Sequence, residues 1–391
     1  MKIGRNTMNF TFMTASHIIF GVGVRNTYFD TILSLGDRPF VVTGSAKPEV
    51  ESFLENIKNL SSAAVFFQAS GEPSIPLIHR ALAKARDNEC NFVISIGGGS
   101  IIDTGKAVAA LLTNGDNCLE FLEVIGQGKR LHHEPAPFVA VPTTAGTGSE
   151  VTKNAVISSP EHNVKVSLRS DTMIPNYAVI DPELCVSVPP DVTAWTGLDA
   201  LTQLLEAYLT RKRNPLTDGI CREGLIRASR SIYRAYTDGG DIDARTDMSC
   251  ASLFSGLALA NAGLGAVHGF AGPMGGMFNI SHGLICASLL PHVFVTNIEA
   301  AMTLAEPEDL MDRFDKLAEI LTGSEDAKKE DAVNWISETS KKLNIPGLSD
   351  LGIKQRDFPQ IIQKAKNSSS MKGNPLELSD RELLRILELA F

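Results

Sequence analysis

The chain of 391 residues has no C-x-x-C pair. Its six cysteines, Cys90, Cys118, Cys185, Cys221, Cys250 and Cys286, lie far apart, which excludes a disulfide framework and predicts reduced thiols in a cytoplasmic protein. A basic excess is also missing. With a net charge of -9, no cationic face is visible for a nucleic-acid partner, and small-molecule chemistry is the better expectation. After Lys2 and Arg5 no apolar stretch follows that is long enough for a signal peptide. No run of about twenty apolar residues offers a membrane span. Internal repeats and low-complexity tracts are absent. What is present is 43% hydrophobic content, over a length sufficient for two domains with separate cores.

The first half alternates short β-rich runs with helical patterns. Phe40 to Thr43, Ala63 to Phe67, Phe92 to Ile96 and Phe138 to Val141 read as strands with helices between, which predicts βαβ units and a mainly parallel sheet. Ala155 to Ser158, Lys165 to Leu168 and Tyr177 to Ile180 are β-like pieces expected to complete that sheet. The character changes around Val188-Pro189-Pro190-Asp191, and from Ala194 onward nearly every segment has helical spacing. The predicted division is therefore an α/β domain over residues 1–189 and an all-helical domain over 190–391, each of ordinary size. Ser379-Asp380-Arg381-Glu382 before Leu383 predicts a capped final helix. The acidic run at Ser324-Glu325-Asp326 reads as a solvated turn.

Two segments carry chemistry in the first half. In Gly97-Gly98-Gly99-Ser100-Ile101-Ile102-Asp103-Thr104-Gly105-Lys106, strand, tight turn and helix follow one another. Glycines without Cβ atoms let backbone amides face a pyrophosphate, and the helix adds unpaired N–H groups and its positive dipole end. Ser100 is placed to cap that helix. A glycine triplet after a strand is as often only a tight turn, and the spacing G-x-G-x-x-G is absent. Asp103 and Lys106 are either contacts near a ligand or an exposed helix pair. The second segment, Val141 to Thr152, joins a strand to small residues, hydroxyls and glycines, a loop that a ligand can approach closely.

Phe92 to Lys106, Pro142 to Thr152, Gly197 to Glu206 and His268 to Gly283 resemble, in order and spacing, the motifs of the iron-containing, group III alcohol dehydrogenase family. The match runs from Phe20-Gly21-Val22-Gly23 to Gly373-Asn374-Pro375. The resemblance implies an N-terminal dinucleotide-binding α/β domain, an all-α C-terminal domain and a cleft between them for nicotinamide, metal and substrate, in the fold shared with dehydroquinate synthase. Carried over by motif, Gly98, Gly99 and Ser100 would bind pyrophosphate, with Asp103 near the ligand. Thr143, Thr144 and Thr147 would line the phosphate and nicotinamide end, and Lys165 falls where the family has a lysine near the nicotinamide ribose. Lys165 otherwise reads as a strand-edge lysine. At Val41 to Lys47, Gly44 stands where NAD-preferring relatives carry an aspartate. With Ser45 and Lys47 beside it, the segment leans towards NADP(H), with NAD(H) as the alternative.

Asp199 and Gln203, four apart on the helix that starts near Ala194, share a face opposite the stripe of Leu198, Leu201, Leu205 and Tyr208, which spacing alone reads as solvated. By resemblance this helix supplies two metal ligands, an Asp and, four later, a His. Asp199 matches the first, and Gln203 stands in place of the His. His268 and His282 match the remaining ligands, fourteen positions apart with Gly272, Gly275 and Gly276 between, so that a turn can bring both rings together. Gly272 is a second departure, since many relatives have a His there that assists proton transfer. An amide oxygen in place of imidazole nitrogen lowers affinity for Fe²⁺ or Zn²⁺. Three outcomes stand: a site held by Asp199, His268 and His282, one in which Gln203 is the fourth ligand, or a metal-free site in which a histidine donates to the carbonyl. A retained metal is preferred over the metal-free site, given the three surviving ligands.

His132 and His133 read as surface loop residues, and His17, His79, His162 and His292 belong to no constellation. Phe270, Met274, Met277, Phe278 and Ile280 read as core more readily than as a substrate pocket. The resemblance implies a reversible NAD(P)-dependent alcohol dehydrogenase, a reductase of small aldehydes or ketones, as a homodimer. Asp199, His268 and His282 form its catalytic centre, and protonation falls to water or a ribose hydroxyl. Two rivals are a dehydroquinate-synthase-like lyase, which would require clustered Lys and Arg that Gly263 to Ile285 lack, and a nucleotide-binding protein that no longer catalyses.

Overall fold

The structure, a computed structural model, describes residues 9–45, 47–162, 164–303 and 308–391. Lys2 and Arg5 lie outside them. Strands β1 (His17–Phe20), β2 (Pro39–Thr43), β3 (Val65–Gln68), β4 (Phe92–Gly97) and β5 (Phe138–Pro142) are joined in one sheet by β8 (Tyr177–Ile180). All its pairings are parallel, in the order β1-β8-β5-β4-β2-β3. The helices α1 (Phe29–Leu33), α2 (Pro48–Leu60), α3 (Ile75–Asp87) and α4 (Gly99–Asn114) alternate with these strands. Side chains alternate across each strand. Val41, Ile94, Ile96 and Val139 therefore pack with Val50, Phe53 and Ile57 of α2, while Phe40, Val42, Val93 and Ala140 pack with α3 and α4 on the other face. Strands β2, β4 and β5 are buried along their whole length, as their near-continuous apolar runs require of strands covered on both faces.

Two of the strand-like pieces do not complete this sheet. β6 (Asn154–Ser159) and β7 (Val164–Arg169) form a separate two-stranded antiparallel hairpin. The connection between them is too short for the crossover that a parallel pair needs. Conversely, β1 joins the sheet edge although its four residues carry no clear alternation, with His17 stacked on Tyr177 at 4.6 Å between centroids.

From Pro190 onward the described residues form helices and turns without a strand: α5 (Pro190–Leu209), α6 (Pro215–Thr237), α7 (Ile242–Ala262), α8 (Ala266–Phe278), α9 (His282–Ala301), α10 (Glu308–Thr322), α11 (Lys329–Lys342), α12 (Phe358–Lys366) and α13 (Asp380–Leu389). Ser379 caps α13 in a reciprocal pair with Glu382, as its sequence predicts. Helix α5 is the axis of this domain, enclosed by α6, α7 and α9. Leu198, Leu201, Leu205 and Tyr208 are buried, and so are Asp199 and Gln203 on the face that spacing alone read as solvated. Helix α9 corrects another expectation, because its twenty residues are long and apolar enough to cross a bilayer by length and composition. It is mostly buried inside the protein, where apolar surroundings on all sides explain the composition.

Candidate active site

The switch in strand order lies beside β4, because the chain leaves β2 towards β3 and leaves β4 towards β5 on the opposite side. The carboxyl ends of β2 and β4 therefore frame a crevice of the kind that binds ligands in open α/β sheets. Gly98 is the N-cap of α4 and offers no side-chain cap, so the first N–H groups of the helix face the crevice without a side-chain acceptor there. Ser100 does not cap the helix as expected; it lies inside the first turn, and its carbonyl accepts the Thr104 hydroxyl at 2.8 Å. A Cβ on Gly98 would lie 3.3 Å from Thr144 Oγ1 and one on Gly99 only 2.8 Å from Thr147 Oγ1. The glycine turn and the Val141 to Thr152 loop thus touch, and the Thr143 N–H donates to the Gly97 carbonyl at 3.0 Å. Gly44 directly follows β2 on the other side, with Ile101 at 3.4 Å from where its Cβ would stand. The Thr43 hydroxyl next to it is buried without a hydrogen-bond partner.

Asp103 and Lys106 brace the loop from below. Asp103 Oδ1 accepts the Ser149 hydroxyl at 2.6 Å and Oδ2 accepts the Val156 N–H at 2.9 Å. Lys106 is fully buried and donates to Thr152 Oγ1 and the Asn154 carbonyl, both at 2.8 Å. They are not the exposed pair expected as an alternative, and both Asp103 oxygens are engaged by protein. Lys165, on β7, reaches the neighbourhood of Gly275 in α8, where it pairs with Glu72 at 2.5 Å. It is therefore an inward lysine rather than one on a free strand edge.

Against this crevice the helical domain presents a cluster of donors. Gly146 in the loop sits on Thr196 of α5, 2.7 Å from where its Cβ would stand, and Asp199 follows one turn later on the same helix. His268 opens α8 and His282 opens α9, and the intervening turn at Asn279, with φ 53°, brings their ring centroids to 5.3 Å. Asp199 Oδ1 lies 3.3 Å from His268 Nε2 and 3.8 Å from His282 Nε2. Cys286 Sγ lies 3.7 Å from each of the same two nitrogens. One ligand atom from each of these four residues falls within 4.8 Å of the others.

Glu206 fixes His268 from behind. Its Oε2 is 2.7 Å from His268 Nδ1, and its Oε1 accepts the Val267 N–H at 2.6 Å. A carboxylate at Nδ1 holds a proton there, so that Nε2, the nitrogen facing Asp199, is the one a metal would take, the arrangement by which outer residues orient a metal-binding imidazole. Burial opposes the charged form of His268, but Cys286, Asp199 and Glu206 outweigh it and raise its pKa well above the ordinary 6.5. Burial likewise opposes the Asp199 carboxylate, yet the adjoining imidazoles of His268 and His282, 3.3 and 3.8 Å from its Oδ1, hold it below 3.8. Burial pushes the Cys286 thiol up to about 12. Two buried acceptors, Asp199 Oδ1 and Gln203 Oε1, have no hydrogen-bond partner. An orphaned carboxylate oxygen beside two imidazoles is costly unless a cation occupies the point they share, so the donor set fits a divalent metal.

Residues 15–182 match the family described as iron-containing alcohol dehydrogenase, and residues 193–391 match its C-terminal part, described as Fe-containing alcohol dehydrogenase family, C-terminal. The chain belongs to the iron-containing alcohol dehydrogenase family. It is 32% identical to alcohol dehydrogenase 4 of Saccharomyces cerevisiae over 94% of this chain and 93% of the relative. It is 34% identical to 1,3-propanediol dehydrogenase of Klebsiella pneumoniae over 84% of this chain and 83% of that one. The crystal structure of a 1,3-propanediol oxidoreductase superposes with a TM-score of 0.88 at 29% identity, covering 98% of this chain and all of the other. As a member of this family the chain is an oxidoreductase acting on CH–OH groups.

Glu206 and Cys286 complete the site of this iron-containing alcohol dehydrogenase without having been singled out from sequence. Both signals were present: Asp199, Gln203 and Glu206 follow one helical stripe, and Cys286 lies four residues after His282. Among the other histidines, two have ordinary hydrogen-bond partners and the adjacent pair is exposed. His79 Nε2 accepts the Cys118 N–H at 3.2 Å, His162 bonds Ser159 at 2.8 Å, and His132 and His133 are exposed. Phe270 and Met274 are core, while Met277, Phe278 and Ile280 are half-buried against it. Asn374, in the motif near the end of the chain, holds the start of α8 through the Ala266 N–H at 3.1 Å.

Proposed function

We propose that this enzyme is a reversible NAD(P)-dependent alcohol dehydrogenase working mainly as a reductase of small aldehydes or ketones. Asp199, His268 and His282 hold a divalent metal, Gln203 stands beside them, and NADP(H) is the preferred coenzyme. The observation that carries this reading is the convergence of those three side chains one helical turn from the loop that touches the glycine turn.

When bound, the nicotinamide supplies hydride and the metal supplies the Lewis acidity that polarises the carbonyl oxygen. The chain's own task is alignment. The uncapped start of α4 with Gly98, Gly99 and Ser100 holds pyrophosphate, while Thr143, Thr144 and Thr147 line the way to the helical domain. Lys165, positioned by Glu72, faces the nicotinamide end. Glu206 keeps the His268 ring oriented, and Asp199 supplies the negative charge that keeps a cation in place. Gly272 offers no group for proton transfer and has nothing within 4 Å of where a Cβ would stand. Protonation then falls to water or to a ribose hydroxyl. The first helix after the last strand supports a domain boundary at residues 189 and 190. Family resemblance supports a homodimer, and the six free, buried thiols support a cytoplasmic location.

Titrating NADPH and NADH and then following their oxidation with a panel of small aldehydes, in buffers replete with Zn²⁺ or Fe²⁺, tests the reading. Turnover of at least one carbonyl, faster with NADPH, is expected. Tight coenzyme binding with no turnover on any carbonyl would leave a nucleotide-binding protein that no longer catalyses.

A further inference from the structure

Position 203 carries no imidazole, yet the donor cluster still has four members. We propose that Cys286 is a metal ligand, its thiolate completing with Asp199, His268 and His282 a four-donor set suited to Zn²⁺, to which a substrate carbonyl oxygen would add as a fifth ligand. The proposal rests on the metal reading above and names a ligand that reading does not contain.

The geometry is close to what such a site needs before any metal arrives. With metal–nitrogen and metal–oxygen bonds of about 2.0–2.1 Å and a metal–sulfur bond of about 2.3 Å, a tetrahedron has edges of about 3.3 Å between nitrogen or oxygen donors and about 3.6 Å from nitrogen to sulfur. Four of the six edges are 3.3 and 3.8 Å from Asp199 Oδ1 to the two Nε2 atoms and 3.7 Å from Sγ to each of them, and all four donors lie within 4.8 Å of one another. Cys286 reaches this point because it follows His282 by one turn of α9, so both project from the same face. Independently of the thiol, Asp199 Oδ1, on a residue 1% exposed, points into the same space without a hydrogen-bond partner. Among the described residues no other cysteine belongs to such a cluster. Cys221, for example, lies in the apolar core of the helical domain.

Gln203 Oε1 is the competing donor, also buried and unpartnered. It offers an amide oxygen, a weak ligand for zinc, whereas a thiolate with two imidazoles is a set that zinc favours over iron. On binding, the Sγ–H proton is released to solvent and the sulfur–metal bond forms, with no change in oxidation state.

Cobalt(II) loaded into chelator-stripped protein reports the ligand directly. Wild type is expected to show an intense near-ultraviolet thiolate-to-cobalt charge-transfer absorption that Zn²⁺ abolishes on displacing the cobalt. Cys286→Ser should lose the band and bind Co²⁺ and Zn²⁺ at least about tenfold more weakly against a chromophoric chelator, since even outer-shell partners of a metal site contribute that much. Gln203→Ala should keep the band. Unchanged circular dichroism and NADPH affinity of Cys286→Ser control for folding, and the wild-type band stands by itself if that variant misfolds. Stoichiometric Co²⁺ without the band, or undiminished affinity in a folded Cys286→Ser, overturns Cys286 as a ligand and leaves the metal reading intact. Failure of wild type to bind any metal overturns both.

Discussion

At the scale of single residues, coenzyme choice and ligand orientation are set by what stands at a few points. Gly44 directly follows β2, and on the proposed coenzyme reading a side chain there would meet the ribose edge of a dinucleotide bound across the crevice. A Cβ there would make only ordinary contact with Ile101, at 3.4 Å, so the backbone accepts a larger residue. Gly44→Asp should place a carboxylate against a 2′-phosphate and give ribose hydroxyls an acceptor. The ratio of kcat/KM for NADPH over NADH is expected to fall by about tenfold or more, because like charges brought together cost several kcal/mol. An unchanged ratio would remove Gly44 from the coenzyme site. The same scale explains the histidines. His268 is a site residue because Glu206 fixes its ring, whereas His79, half-buried on α3, is accounted for by one backbone N–H, that of Cys118.

At the scale of elements, the loop after β5 is where the two domains meet. Gly148 has φ 60°, and a Cβ on it would lie 2.5 Å from the backbone of Gly256 in α7. Left-handed backbone costs a non-glycine residue about 1–2 kcal/mol, and the collision adds to this. Gly148→Ala should therefore lower stability by about 1–3 kcal/mol in denaturant unfolding and weaken NADPH binding, since the loop that carries Thr144 and Thr147 must shift. Loss of stability with unchanged coenzyme affinity would separate the loop from the binding site. Much of this architecture was legible in sequence because its signals are local: apolar runs ending in glycine, a Ser379 to Glu382 cap, and two motif histidines separated by glycines. What was not legible depends on packing. Lys165 to Leu168 reads as a strand, but only the short connection before it decides that it forms a hairpin with β6 and not a seventh place in the sheet. Asp199 and Gln203 read as a solvated face because periodicity reports which residues are polar, not that α6, α7 and α9 enclose α5 on every side. Cys286 was overlooked since its partner, His282, is recognisable as a neighbour only once both lie in one helix.

At the scale of the whole molecule, the seam between the domains carries a buried acid whose titration is read in global stability. Glu150 lies near the end of the loop, 2% exposed, with buried Lys106 as its cationic neighbour and Asp103 next to that lysine. Burial pushes the Glu150 carboxyl up from 4.5 to about 7, against the opposing influence of its own backbone N–H and of Lys106. A carboxyl raised in the folded state binds more protons folded than unfolded between those two values. Its contribution is fully present below pH 4.5, declines as pH rises towards about 7, and is flat above that. The decline is on the order of 3 kcal/mol at most, from the size of the shift. Glu150→Gln removes this titration while keeping the shape of the side chain. Urea unfolding from pH 4.5 to 8 should show wild type and variant converging at the acid end. The variant should become the more stable of the two above neutrality. Parallel curves across that range would mean that Glu150 is already ionised in the folded protein, held by Lys106 of the same domain, and that a buried ion pair stabilises the α/β side of the seam.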